Sequence, residues 1–300
     1  MSRKPWVVYP NEYPLDAQES PLWLAAKGGC LREVMRLISN DKDIEEPGGY
    51  MHCSPLAIAS MHDHSLVVLE LLEHHADLLS TDRYFTETPL HCAVRHYNSR
   101  IKTSGEMQDQ SAKCNSKLNI IPYTGVTLKS KSNGAACILI ESMALKGVTL
   151  DTKDECGRTA LHLAVADKNE EIVKRLLDSG ADISVKDVAN TTVLKHCILE
   201  NDIHFAEILI GYGADVNELY NHGRMPLHVS IGCRLNELSK LLLVHGADIE
   251  TNDFGGLNAS ALASQNGWDR GIQLIRTERL RRANKEIVQS PRMVYVMASS

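Results

Sequence analysis

The chain has 300 residues, 43% hydrophobic and 23% charged, a composition that calls for a packed fold over most of its length. Its formal net charge of -6 is uneven: residues 270–300 carry +5 and residues 99–132 carry +4, leaving -15 on the remainder. A body that acidic excludes nucleic-acid binding by the core, because such affinity rests on Lys and Arg neutralising phosphates, and it favours a protein partner with a basic segment.

Residues 1–19 read as an N-terminal extension. Met1-Ser2-Arg3-Lys4-Pro5-Trp6 is not followed by a long apolar run, and the chain has no stretch of about 18 apolar residues. The expectation is therefore no secretory leader, no membrane span, and a cytoplasmic or nuclear location. The eight cysteines (30, 53, 92, 114, 137, 156, 197 and 233) include no CxxC pair and read as reduced, mostly buried residues.

From residue 20 onwards the sequence repeats itself. Ser20-Pro21-Leu22-Trp23 is answered by Ser54-Pro55-Leu56-Ala57 and by Thr88-Pro89-Leu90-His91, at steps of 34 residues. After a longer step of 71, Thr159-Ala160-Leu161-His162 is followed by Thr192-Val193-Leu194 and Met225-Pro226-Leu227-His228 at steps of 33. Asn258-Ala259-Ser260 fills the same slot once more, giving seven units. Gly180-Ala181-Asp182, Gly213-Ala214-Asp215 and Gly246-Ala247-Asp248 recur with the same period of 33.

Each unit has a physical reading. A hydroxyl residue ahead of Pro starts a helix, because it caps free N–H groups and Pro fits the first helical position. Apolar residues three and four apart give that helix a buried stripe. A second short helix such as 171–179 follows, and Gly ends it where a left-handed residue is needed. A polar turn then leads to the next cap. One unit cannot bury its own apolar face, so the units must stack.

The spacing and the Thr-Pro-Leu-His signature resemble the ankyrin repeat family over about residues 20–275. The resemblance implies an all-α ankyrin repeat solenoid, a curved stack of antiparallel helix pairs with projecting β-hairpin-like loops. It also implies a non-catalytic protein–protein interaction module that binds along an acidic concave groove and the tips of those loops. An adaptor or scaffold is one form of that role. The alternatives are a regulatory or inhibitory subunit that masks a basic segment of its partner, or a ubiquitin-ligase substrate receptor. For the last, neither the Leu/Cys pattern nor the Pro-rich half of the recruiting box seen in some ankyrin proteins is present. A monomer is expected.

The departures are informative. His75 stands in the slot of the helix-ending Gly180, Gly213 and Gly246, which predicts local strain, and Met225 cannot cap as Thr does, which predicts a cap weaker by roughly 1 kcal/mol. The long step places an insertion at about residues 99–132 of the third unit and a few extra residues near 144–148. The insertion is polar and Lys-rich, and Leu118–Ile121 and Val126–Leu128 flank Pro122-Tyr123-Thr124-Gly125 as a short hairpin would. It reads as a loop or as a second, basic contact site. Residues 276–300 read as a basic helix and tail. Arg279, Arg281, Arg282 and Lys285 supply either a polar end to the stack or an import or docking signal.

The turn tips align at Tyr50, Tyr84, Glu155, Val188, Asn221 and Phe254, with Phe85 and Tyr220 beside them. An aromatic on a polar turn costs solubility unless a partner covers it. Tyr50, Tyr84, Phe85, Glu155, Tyr220, Asn221 and Phe254 are therefore the candidate partner-binding residues. Asn217 resembles the asparagine that ankyrin proteins present to an intracellular hydroxylase. His52, His62, His64, His74, His75, His91 and His96 lie near Cys53 and Cys92, but no spacing matches a metal motif, and His91, His162 and His228 share one repeat slot. No catalytic motif is present, so no catalytic residue, cofactor or metal is expected.

Overall fold

A computed structural model describes residues 19–49, 51–95 and 134–289 of the chain. The insertion with its expected hairpin, Tyr50 and the residues beyond 289 lie outside the described residues. The chain divides into two compact units, 1–181 and 182–300, and each is described by itself.

In the first unit, α1 (Pro21–Lys27) packs on α2 (Leu31–Ile38) and on α3 (Pro55–Met61), and α3 packs on α4 (Ser65–Glu73). Residues 89–95 are the next helix, α5. Beyond the insertion, α6 (Ala135–Lys146) packs against both α4 and α8 (Glu170–Asp178), and α8 packs against α7 (Ala160–Ala166). The extra residues near 144–148 lengthen α6, which has 12 residues where α8 has 9. The helix resumes on a cap from another repeat, since the Ala135 N–H donates to Asp63 Oδ1 at 2.7 Å.

The second unit repeats the plan. α9 (Val193–Leu199) packs on α10 (Ile203–Gly211) and α11 (Pro226–Gly232), and α11 packs on α12 (Asn236–Val244) and α13 (Ala259–Gln265). The long α14 (Asp269–Gln289) packs on α12 and α13. Among the described residues the only β pairing is one bridge, Gly48 to Cys53.

The repeated leucines are the core. Leu22, Leu56, Leu90, Leu161, Leu194 and Leu227 are each at most 1% exposed, and each such burial contributes roughly 1.5–3 kcal/mol. The caps form as the sequence requires. Ser20, Ser54, Thr192 and Asn258 accept the N–H three residues on, at 2.9–3.4 Å. Thr88 and Thr159 act differently. Their hydroxyls donate to the Nδ1 of His91 and His162, and the same nitrogens accept the threonines' own N–H. At Met225 only the return bond survives, from Met225 N–H to His228 Nδ1 at 3.2 Å. Trp23 fills the histidine slot of the first repeat, with its indole N–H on Cys53 Sγ and its ring against Gly48 and Gly49.

His75 adopts φ +66, the left-handed conformation that Gly180, Gly213 and Gly246 take at φ +89 to +94. A Cβ in that conformation costs energy that glycine avoids.

Candidate protein-binding fingers

The fingers are organised by aspartates. Asp154 Oδ1 accepts the N–H groups of Cys156 and Arg158 at 2.9 and 2.8 Å. Asp187 Oδ1 does the same for Ala189 and Thr191, and Asp253 Oδ1 for Gly255 and Leu257, all within 3.1 Å. In the third repeat Asp82 Oδ1 takes Phe85 and Glu87 instead, at 2.8 and 3.2 Å. A short polar side chain that binds its own downstream backbone makes a turn without help from a sheet. The sequence reading missed these residues, although Asp154 and Asp187 are one repeat apart.

The Asp82 finger holds one more residue before its capping threonine than the Asp154 and Asp187 fingers do. The residue after the bracket aspartate is therefore Arg83, not Tyr84, so Tyr84 lies one place past the tip slot that Glu155, Val188 and Phe254 occupy. Tyr84 is 39% exposed, Phe85 is half-buried and Glu155 is exposed. The Glu155 N–H donates to the Phe85 carbonyl at 2.9 Å, which ties two fingers of the first unit together.

In the second unit Asn190 donates to the Asn221 side chain at 3.0 Å, and the Phe254 N–H donates to the His222 carbonyl at 3.0 Å. Val188 is 77% and Phe254 85% exposed, with the Phe254 ring lying over Gly223. Leu219, which the sequence reading did not single out, is also exposed.

Tyr220 corrects the sequence expectation. It fills the slot of the bracket aspartate, is 5% exposed, and lies under Lys195, whose Nζ is 4.9 Å from the ring centre. Burial, reinforced by Glu218, pushes its hydroxyl well above the ordinary tyrosine range. It is a packing residue of the finger, not a contact surface. Asn217 is half-buried and spans two repeats, accepting the Asp248 N–H at 2.7 Å and donating to the Gly246 carbonyl at 3.3 Å.

Three basic residues of α14 bind within their own unit. Arg279 pairs with Glu250 at 2.7 Å, and Arg281 and Arg282 both pair with Glu278. Arg282 also donates to the carbonyls of Leu243, in the last turn of α12, and of Ala247, just beyond it. A cation at the C-terminal end of a helix is favoured by the partial negative charge of its last carbonyls. Among the described residues no helix is long and apolar enough to cross a membrane, and no group of three His, Cys, Asp or Glu is placed to hold a metal ion.

Residues 129–220 match the family model for ankyrin repeats, in three copies. Those residues are ankyrin repeats. The chain is 28% identical over 204 residues to the B-cell lymphoma 3 protein homolog of Mus musculus, a match that covers 65% of this chain and 44% of that relative. It is 28% identical over 226 residues to the ankyrin repeat protein FPV034 of fowlpox virus, covering 74% of this chain and 51% of the other. The p105 subunit of nuclear factor NF-kappa-B from Gallus gallus is 25% identical over 66% of this chain and 21% of its own length. The chain thus spans about half or less of these relatives. A crystal structure of the ankyrin repeat domain of Bcl-3, described as a unique member of the IkappaB protein family, superimposes with a TM-score of 0.68. That match has 24% identity and covers 87% of this chain and all of the other, and it carries the fold.

Proposed function

We propose that the chain is a non-catalytic adaptor or scaffold that holds a partner protein on its fingers. The observation that carries this reading is Phe254, an aromatic ring 85% exposed on a backbone that is tied to the neighbouring finger. Large aromatics on ordered supports dominate binding energy, because little entropy is lost when they are covered. Val188 and Asn221 belong to the same surface in the second unit, and Tyr84, Phe85 and Glu155 to the corresponding surface in the first. The acidic charge outside the insertion and tail favours a partner with a basic segment. Cross-linking from a photoreactive residue at position 254, in cells, tests the reading. A defined protein adduct supports it, and cross-links only to water-exposed abundant proteins, unchanged when the photoreactive residue is moved to the opposite helix face, count against it.

A second reading, a regulatory subunit that masks its partner's basic segment, is favoured by the relatives, one a subunit of a nuclear factor and one a member of the IkappaB family. It implies a cytoplasmic protein with access to the nucleus. Asn217 as a hydroxylation site rests on its resemblance to other ankyrin proteins. The native peptide carrying the mass of one added oxygen supports it, and the unmodified mass throughout counts against it.

A further inference from the structure

The finger of residues 82–87 encloses a buried charge cluster that no binding role requires. Glu87 is 2% and Asp82 3% exposed, and Asp154 of the next finger is 5% exposed. Among the described residues, two guanidiniums face these three carboxylates. Arg158 is committed to Asp154 through bonds of 2.9 and 2.7 Å, and Arg95 contacts Glu87. Asp82 Oδ2 is buried with no hydrogen-bond donor on it. Among the described residues the cluster therefore holds one carboxylate more than its cations balance, and an unbalanced buried charge is removed most cheaply by taking up a proton.

We propose that Glu87 is a proton-operated switch, neutral in its buried site at mildly acidic pH and charged above neutrality, that sets the stability of the third finger. His91 and the two buried thiols beside it do not accept the proton. His91 Nδ1 already accepts from the N–H and hydroxyl of Thr88, and its Nε2–H donates to the Arg158 carbonyl at 3.1 Å. Its burial moves it further towards the neutral form. The thiol of Cys92, 4.0 Å from Glu87 Oε2, and that of Cys53 are held protonated by burial. Burial raises Asp82 as well, but three backbone N–H groups on its carboxylate, and the Arg95 charge, oppose the rise. Burial raises Glu87 from 4.5 to about 7 against the opposing charge of Arg95, with Asp82 and Asp154 adding to the rise.

The finger depends on this corner. The Asp82 N–H donates to the Glu87 carbonyl at 3.2 Å, and Asp82 Oδ1 accepts the Glu87 N–H. Phe85, between them, carries the bond to Glu155. Folded Glu87 holds a proton that the unfolded chain releases near 4.5, so its contribution to stability is full below that pH and is lost as pH rises through about 7.

The experiment is a carbon-13 titration of the glutamate carboxyls in the full chain, with Glu87 assigned from Glu87→Gln. A Glu87 midpoint near neutrality, moving upward in Arg95→Ala where the opposing cation is gone, is the expected result. Denaturant unfolding supplies a readout independent of that assignment: the wild type loses stability from about pH 5 to about pH 8, and Glu87→Gln loses less. A midpoint in the ordinary glutamate range, or equal losses in the two proteins, overturns the proposal.

Discussion

The Phe254 N–H donates to the His222 carbonyl at 3.0 Å, so an exposed ring stands on a backbone fixed by the preceding finger. The bond from Glu155 to Phe85 repeats the relation in the first unit. A contact residue whose support is already ordered loses little freedom on binding. This distinguishes Phe254 from an aromatic on a mobile loop.

Gly223 is the first place to test that support. Its φ is +69, and a Cβ there would overlap the Phe254 ring. Gly223→Ala is expected to cost about 1–2 kcal/mol from the left-handed backbone alone, and to weaken partner binding by moving the ring. Denaturant unfolding and a binding assay on the same variant measure the two effects.

His75→Gly should stabilise the first unit. His75 is exposed and held at φ +66, so glycine relieves backbone strain without removing burial. The expected gain is about 0.5–1 kcal/mol after the entropy that glycine loses on folding, read as a rise in the denaturant midpoint.

Asn258→Ala removes the oxygen that accepts the Ala261 N–H at 2.9 Å. The last repeat should lose about 1 kcal/mol, visible as earlier hydrogen exchange in α13 and α14.

Glu278 has the opposite pH sign to Glu87. Hydrogen bonds from Arg281 first, then Arg282, hold its carboxyl below the usual 4.5. Its contribution is present above that value and is lost as pH falls through the lowered one. Helical signal from α14 should therefore fade first on acidification, and Glu278→Gln should abolish that dependence in circular dichroism or amide exchange.

Much of the fold was legible because the leucine slot, the hydroxyl or Asn caps and the helix-ending glycines are set by local chemistry that recurs. The site was legible less evenly. The exposure of Phe254 and Val188 follows from their tip positions, which project from the stack whatever packs beneath them. Tyr220 was misread because its burial depends on Lys195, one repeat back, folding over the ring, and no periodicity reports that. Tyr84 was placed one residue off because the register was carried on the leucines, whereas the finger is anchored by Asp82. Glu87 reads as an ordinary surface charge until the next finger, with Asp154 and Arg158, closes over it. The left-handed turn residues Lys168 and Arg234, at φ +57 each, carry no sequence signature of that conformation.

The most direct test of the protein-binding account is the affinity of the strongest partner captured from cells, measured by calorimetry for the wild type and for Phe254→Ala. With the ring so exposed, the variant should keep its stability within about 0.5 kcal/mol. The account predicts binding weaker by about tenfold or more, roughly 1.4 kcal/mol. Equal affinity in a variant confirmed to be folded would contradict the claim that the fingers hold the partner.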